Sequence, residues 1–420
     1  MRKTMQTQSG IYNSKDSDKR RRKIKPRILL LSFLAVIVTM GIAFAVWRLT
    51  RPTFSNANEE LEYLVNETVK SNKQIRNCAL YVTKGDGSFT WSGAAGIANQ
   101  AGQVPMTKDT PFYLASITKI YTAVAIIMLY EQGALRLDDP ITKYLPKDLV
   151  SGIHVYQGYD YSNEITIEQL LAHTSGIPDY YDEKGRDGKT LFDIFKADQQ
   201  RQWTVEEQIA RVRDDLTPAF KPGEKAFYSD TNYQLLGKII EAITGKPLQL
   251  VFDELFFGPL GLKHTWLVGL SGPQEQTLTV AEAFSKFENI TKMRSSTFYW
   301  ADGGIVATPE DAVMFLRALK EGRIIKLETL ELMHHWNPIK NTGPFQYGYG
   351  MMEIKLPSAI SWAVNVLPTW GHTGSLGSFL YYSPSQDLYA AGTINQTNDN
   401  VTALLLMIKA MQAVAHAKNS

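Results

Sequence analysis

Strand-like runs at both ends of the chain, with a long helical stretch between them, constrain the fold most. Residues 78–84 and 88–97 read as strands, and Gly85-Asp86-Gly87 between them supplies the turn chemistry of an antiparallel hairpin. Strand signals return only near 347–355, 369–371, 378–383 and 388–394. Between these ends, apolar residues recur at helical spacing over 117–132, 166–173, 205–212, 231–244, 248–257 and 309–320. Helical patterns over 59–69 and from about 398 to 416 flank the whole. A sheet assembled from the two ends of a chain must carry the middle as an insertion. The expected fold class is therefore α+β: an antiparallel β-sheet flanked by helices, plus an inserted all-helical subdomain. At 420 residues the chain is long enough to bury a sizeable core.

The N-terminus reads differently. Ten of the 44 basic residues but only two of the 42 acidic ones, Asp16 and Asp18, fall within residues 1–27, so the remainder carries 34 against 40. A mildly acidic body leaves no electrostatic footprint for nucleic acid. The basic run precedes twenty uncharged residues, Ile28 to Trp47, which as a helix would extend roughly 30 Å, the thickness of a bilayer core. The expectation is a basic cytoplasmic tail (1–27), a transmembrane signal-anchor (28–47), a polar tether (48–58) and a catalytic domain (59–418). The localisation that follows is a single-pass cell-membrane protein with its domain outside the cytoplasm. The rival is secretion after cleavage near Ala45, because Ala43-Phe44-Ala45 resembles a cleavage site.

Cys78, the sole cysteine, lies in a strand-like run and reads as a small core residue, so no intrachain disulfide is expected. Ser116-Ile117-Thr118-Lys119 is the only Ser-x-x-Lys and opens an apolar helix. Positions i and i+3 share a helical face, so the lysine amine can reach the serine hydroxyl. A serine hydroxyl is a poor nucleophile until a neighbour takes its proton. Backbone N–H groups at the helix start can meet a developing oxyanion. Alone, the pattern also fits an N-cap serine followed by a solvent lysine.

Further motifs decide between these. Pro222-Gly223-Glu224 leads to Tyr228-Ser229-Asp230 and on to Leu235-Leu236-Gly237; Trp370-Gly371-His372-Thr373-Gly374-Ser375 follows later. Around them stand His173-Thr174-Ser175-Gly176, Pro259-Leu260-Gly261-Leu262 and Gly303-Gly304-Ile305. In this order the set resembles the serine β-lactamase and penicillin-binding-protein superfamily. The branch is the class C β-lactamase-like one, with D,D-carboxypeptidases, D-aminopeptidases and related esterases. The resemblance covers roughly residues 60–415 and implies a β-lactamase/transpeptidase-like fold. It implies Ser116 as the acylated nucleophile, with Lys119 and Tyr228 sharing the proton transfers. It also implies an oxyanion hole from the backbone N–H groups of Ser116 and Ser375. Asp230, His372, Thr373 and Gly374 become the substrate-binding positions, with no metal and no cofactor.

Two departures weaken the case for β-lactam hydrolysis. Asp230 stands where the class C-like pattern has asparagine, and an ionised carboxylate can only accept hydrogen bonds. His372 stands in place of a lysine, so a permanent cation for a substrate carboxylate is missing. Tyr161-Ser162-Asn163 matches the second motif in letters but lacks its flanks, and reads as a loop turn. His173 reads as a structural residue near the site. His334-His335 are adjacent and diverge by about 100° on a helix, so they cannot share a metal. The expected function is acyl-enzyme hydrolysis on Ser116 of a small-molecule or peptide substrate, either a cell-wall-type peptide amide or an ester. The alternative is a membrane-tethered, non-hydrolytic sensor that binds penicillin or a wall fragment. The oligomeric state is left open.

Overall fold

The computed structural model describes residues 52–201, 203–268, 279–291, 299–339, 345–355, 368–397 and 399–416. Nine strands form one sheet in the order Asn337–Pro338, Phe345–Tyr347, Met352–Ile354, Thr369–Gly374, Ser378–Ser383, Leu388–Thr393, Asn77–Lys84, Thr90–Asn99, Val104–Pro105. All the neighbouring pairs are antiparallel. The two ends of the chain meet where Asn77–Lys84 pairs with Leu388–Thr393, with Leu80 opposite Gly392 and Val82 opposite Ala390. The expected sheet built from both termini, flanked by helices, is thus the fold observed.

Successive strand residues point to opposite faces, and here both faces are covered. Leu380, Tyr382, Tyr389 and Ala391 join the main apolar core, together with Phe315 and Leu316 of the helix Pro309–Lys320. Phe379, Tyr381, Leu388 and Ala390, of opposite parity, are also buried. The terminal helices Ala57–Ser71 and Asn400–His416 pack against each other and against the sheet. Cys78 is fully buried and its thiol is pushed up to about 12 by burial, so it is an inert core residue. Pro309–Lys320 begins at a Thr308 cap with proline just inside, which is why its boundaries were legible.

The helical middle includes Ile167–Leu171, Val205–Asp215 and Asp230–Thr244. Thr166, Thr190 and Thr204 each close a reciprocal capping box, so three short helices start with their first donors satisfied. The helical run expected over 248–257 splits into Leu248–Phe252 and a wider turn, Asp253–Phe257. The strand expected over 347–355 is broken between Tyr347 and Met352. Gly350 sits in this break at φ 78°, where a Cβ would lie 2.8 Å from the carbonyl oxygen of Lys119.

One expectation is corrected. Among the described residues no helix is long and apolar enough to cross a membrane, so the membrane localisation is overturned. The longest described helix, Asn400–His416, has 17 residues, about 25 Å against the roughly 30 Å of a bilayer core. Its apolar residues Leu406, Met407 and Met411 are buried within the protein. Residues 28–47, on which the anchor was expected, lie outside the described residues.

Candidate active site

The chain enters the helix Thr118–Glu131 through a single 3₁₀ turn, Ala115–Ile117. Ala115 adopts φ 49°, a left-handed conformation that costs a side-chain-bearing residue on the order of 1 kcal/mol. Neighbouring elements hold this turn. The Leu114 N–H donates to Ile305 O at 2.8 Å, and the Ser378 hydroxyl donates to Leu114 O at 2.8 Å. Gly374 presses on the same turn: a Cβ there would stand 2.5 Å from Leu114 O. The absence of a side chain at position 374 therefore brings the end of the strand Thr369–Gly374 against the residue preceding Ala115 and Ser116.

Lys119 is fully buried one turn beyond Ser116. Its ammonium donates to Ser116 Oγ at 3.2 Å and to Asp302 O at 2.7 Å, and pairs with Asp230 Oδ1 at 2.5 Å. Two hydrogen bonds and one ion pair thus surround the ammonium. Asp230 opens the helix Asp230–Thr244, where the field of the helix N-terminus favours a carboxylate. The amine also lies 5.0 Å from the centre of the Tyr228 ring.

The Tyr228 phenol lines the same cavity as Ser116 and interacts with its side chain. Burial, and then the negative charge of Asp230, push its phenol well above the usual tyrosine range, while the Ser116 side chain works the other way. At neutral pH it is a neutral phenol.

Ser116, Tyr228, Asp230, Thr373, Gly374 and Ser375 all line one cavity of about 420 Å³, within the size range of small-molecule sites. His372 does not line it. Its ring is buried behind the strand, where Nδ1–H donates to Thr373 O at 2.6 Å. That fixes Nε2 as the acceptor for the Tyr347 hydroxyl at 3.1 Å. Burial and the Lys119 charge hold this imidazole down at about 3, so it is uncharged at neutral pH. Both ring nitrogens of His372 are thus spent on the protein.

Several residues of the site escaped the sequence reading. Asp302 lines the cavity and supplies the carbonyl that holds Lys119, while its carboxyl accepts from the Tyr180 hydroxyl at 2.7 Å. Burial, and next Asp230, raise this carboxyl to about 7. Asp182 on the rim is raised to about 6, again by burial first. Tyr181 and Tyr299 add an aromatic wall with ring centres 5.5 Å apart. The sequence signal for Asp302 was its place directly before Gly303-Gly304; Asp182 and Tyr181 carried none. Tyr161-Ser162-Asn163 lies in a loop, where Ser162 N–H donates to Asp160, and forms no part of the cavity. Among the described residues, no group of three or more His, Cys, Asp or Glu side chains is placed to hold a metal.

This geometry can be set beside known proteins. A family model described as Beta-lactamase matches residues 61–413. The chain belongs to the beta-lactamase family. With it, the chain falls among the serine hydrolases, as the motifs had indicated. Over 164 residues it is 36% identical to Protein flp of Staphylococcus aureus (strain MW2), covering 39% of this chain and 29% of the relative. Over 193 residues it is 31% identical to the esterase EstB of Burkholderia gladioli, covering 45% and 47%. The chain thus spans less than half the length of these curated relatives. Among solved structures it is similar to a D-stereospecific amidohydrolase from Streptomyces sp., with a TM-score of 0.67 at 26% identity over 83% of this chain and 98% of the other.

Proposed function

We propose that this protein hydrolyses a small acyl ester or amide through an acyl-enzyme on Ser116. The observation that carries the reading is the hydrogen bond from Lys119 Nζ to Ser116 Oγ at 3.2 Å, in a cavity that Ser116 shares with the Tyr228 phenol. Ser116 Oγ attacks the carbonyl as its proton passes to the Tyr228 oxygen. The phenol's own proton goes to the leaving group, so no charged base is consumed. Lys119, held by Asp230 and Asp302 O, stabilises the negative charge that develops on Oγ during this exchange. The Ser116 and Ser375 N–H groups receive the carbonyl oxygen. Water then repeats the relay in reverse to release the acid and regenerate Ser116.

The choice of acyl group rests on charge. Among the described lining residues the carboxyl groups are Asp182, Asp230 and Asp302, and none is a lysine, arginine or histidine. Lys119 reaches Ser116 but is itself buried, already holding two hydrogen bonds and an ion pair. A substrate ending in a free carboxylate, as a D,D-carboxypeptidase would need, gains no partner here. An uncharged ester or amide fits better, in keeping with the esterase and amidohydrolase names among the similar proteins.

The test is turnover of a short-chain activated ester by the protein and by its Ser116→Ala variant. Steady turnover that disappears in the variant supports the reading. Stoichiometric acylation without turnover would favour a slow-acylating binding protein instead, and equal rates in both proteins would remove Ser116 from the chemistry.

A further inference from the structure

We propose that His173 is the positioning residue that holds Tyr228 against the nucleophile, an inference that rests on the reading of Ser116 as the acylated group. His173 lies outside the three motifs and outside the cavity lining, fully buried beneath Tyr228. It grips the chain on both sides of that tyrosine. The Phe227 N–H donates to His173 O at 2.9 Å, and the Ser229 N–H donates to His173 Nδ1 at 3.2 Å. The chain on either side of Tyr228 is thus tied to one residue, through its backbone on one side and its ring on the other. The imidazole also lies against the phenol, with ring centres 4.4 Å apart.

The ring itself is fixed by a chain of hydrogen bonds that leaves one tautomer. Ser175 Oγ donates to Asn232 Oδ1 at 2.7 Å, which turns the Asn232 amide nitrogen towards His173 Nδ1 at 3.1 Å. With both Ser229 N–H and the Asn232 amide pointing at it, Nδ1 must be the acceptor and the proton must sit on Nε2. An imidazolium would set N–H against N–H at the same place. Nε2 is buried with no hydrogen-bond partner among the described residues. The Tyr347 ring stands 4.4 Å away at 66° to the imidazole. His173 also holds φ 56°, a conformation that persists only where surrounding contacts over-determine it.

A histidine that merely fills the core would affect stability alone. A residue that aims the phenol affects the proton transfer while leaving substrate binding untouched, because an error of about 1 Å in a reacting group costs on the order of 100-fold in rate. The test compares His173→Ala, His173→Asn and His173→Gln, with kcat taken per active site titrated by the ester burst. In His173→Asn the new amide oxygen falls near the position of Nδ1 and can accept from Ser229 N–H; in His173→Gln the longer amide reaches the position of Nε2. The expected result is a fall in kcat of about 10- to 100-fold in the Ala and Gln variants with KM nearly unchanged, and recovery of most of that loss in the Asn variant. A His173→Ala variant with wild-type kcat per site, or an Asn variant no better than Gln, would overturn the proposal.

A second readout does not depend on activity. The ¹³Cζ resonance of Tyr228, assigned by its loss in Tyr228→Phe, should shift in His173→Ala and return in His173→Asn. An unmoved resonance in the Ala variant overturns the positioning role even if Ser116 proves never to be acylated. Conversely, a shifted and rescued resonance without any turnover upholds the positioning role and takes down the hydrolase reading alone. If the Ala variant does not fold, the Asn and Gln pair decides the same question.

Discussion

The two walls of the cavity are built on different plans. The wall formed by the helices Thr118–Glu131 and Asp230–Thr244 works through side chains: Lys119, Asp230 and Tyr228 are gathered around Ser116. The wall formed by the strand Thr369–Gly374 and the following Ser375 presents its backbone, brought close by a glycine, with its one ionisable group turned away. Motif positions of equal rank in the sequence are therefore unequal in chemistry. On the proposed mechanism, residue type matters on the helical side, whereas space and the N–H direction matter on the strand side.

The largest expected effect lies on the helical wall. Lys119→Met removes the cation beside the nucleophile and leaves Asp230 unpaired, and should cut kcat by roughly 10³-fold or more in burst and steady-state assays of the activated ester. Next, Gly374→Val should cut kcat by about 100-fold by pushing the strand and its oxyanion donor away from the Ser116 turn. If position 374 tolerates valine, the two walls do not differ as described. Tyr228→Phe, which keeps the ring and removes the relay, should cost about 100-fold in kcat with little change in KM.

Smaller effects sharpen the contrast. His372 is held down at about 3 in the native state, against about 6.5 in the unfolded chain. A depressed folded-state value means the contribution is fully present above pH 6.5 and is lost as pH falls towards 3, by up to about 5 kcal/mol. In urea unfolding between pH 7 and pH 4, His372→Gln should therefore show a shallower loss of stability than the wild type while keeping most of its kcat. A variant that loses kcat first would return His372 to the chemistry. Last, a neutral ester should exceed its carboxylate-bearing analogue in kcat/KM by about tenfold, an advantage that shrinks with added salt.

Much of this was legible in the residues themselves. Hydrophobic periodicity located Pro309–Lys320 and Ser378–Ser383, whose ends are marked by a cap and by turn residues. The spacing of Ser116 and Lys119 announced their contact, because three residues along a helix is close to one turn. The orientation of His372 was not legible. A strand residue can face either side, and only the register against Leu380, together with Tyr347, shows which side it takes. Asp302 and the positioning role of His173 were hidden for a related reason: each acts partly through a backbone carbonyl, which carries no residue type. The short hairpin Val155–Tyr156 with Tyr159–Asp160 gave too few residues for a period to show.

The pairing of Asn77–Lys84 with Leu388–Thr393 also governs when the site can exist at all. A chain emerging from synthesis carries Ser116, Lys119 and Tyr228 long before it carries Gly374, Ser375 and the strand that closes the sheet. Contacts of such wide sequence separation form late and slowly. On the proposed mechanism, an unfinished chain would lack the Ser375 N–H that completes the oxyanion hole, and its Ser116 would stay idle until the final strands arrive.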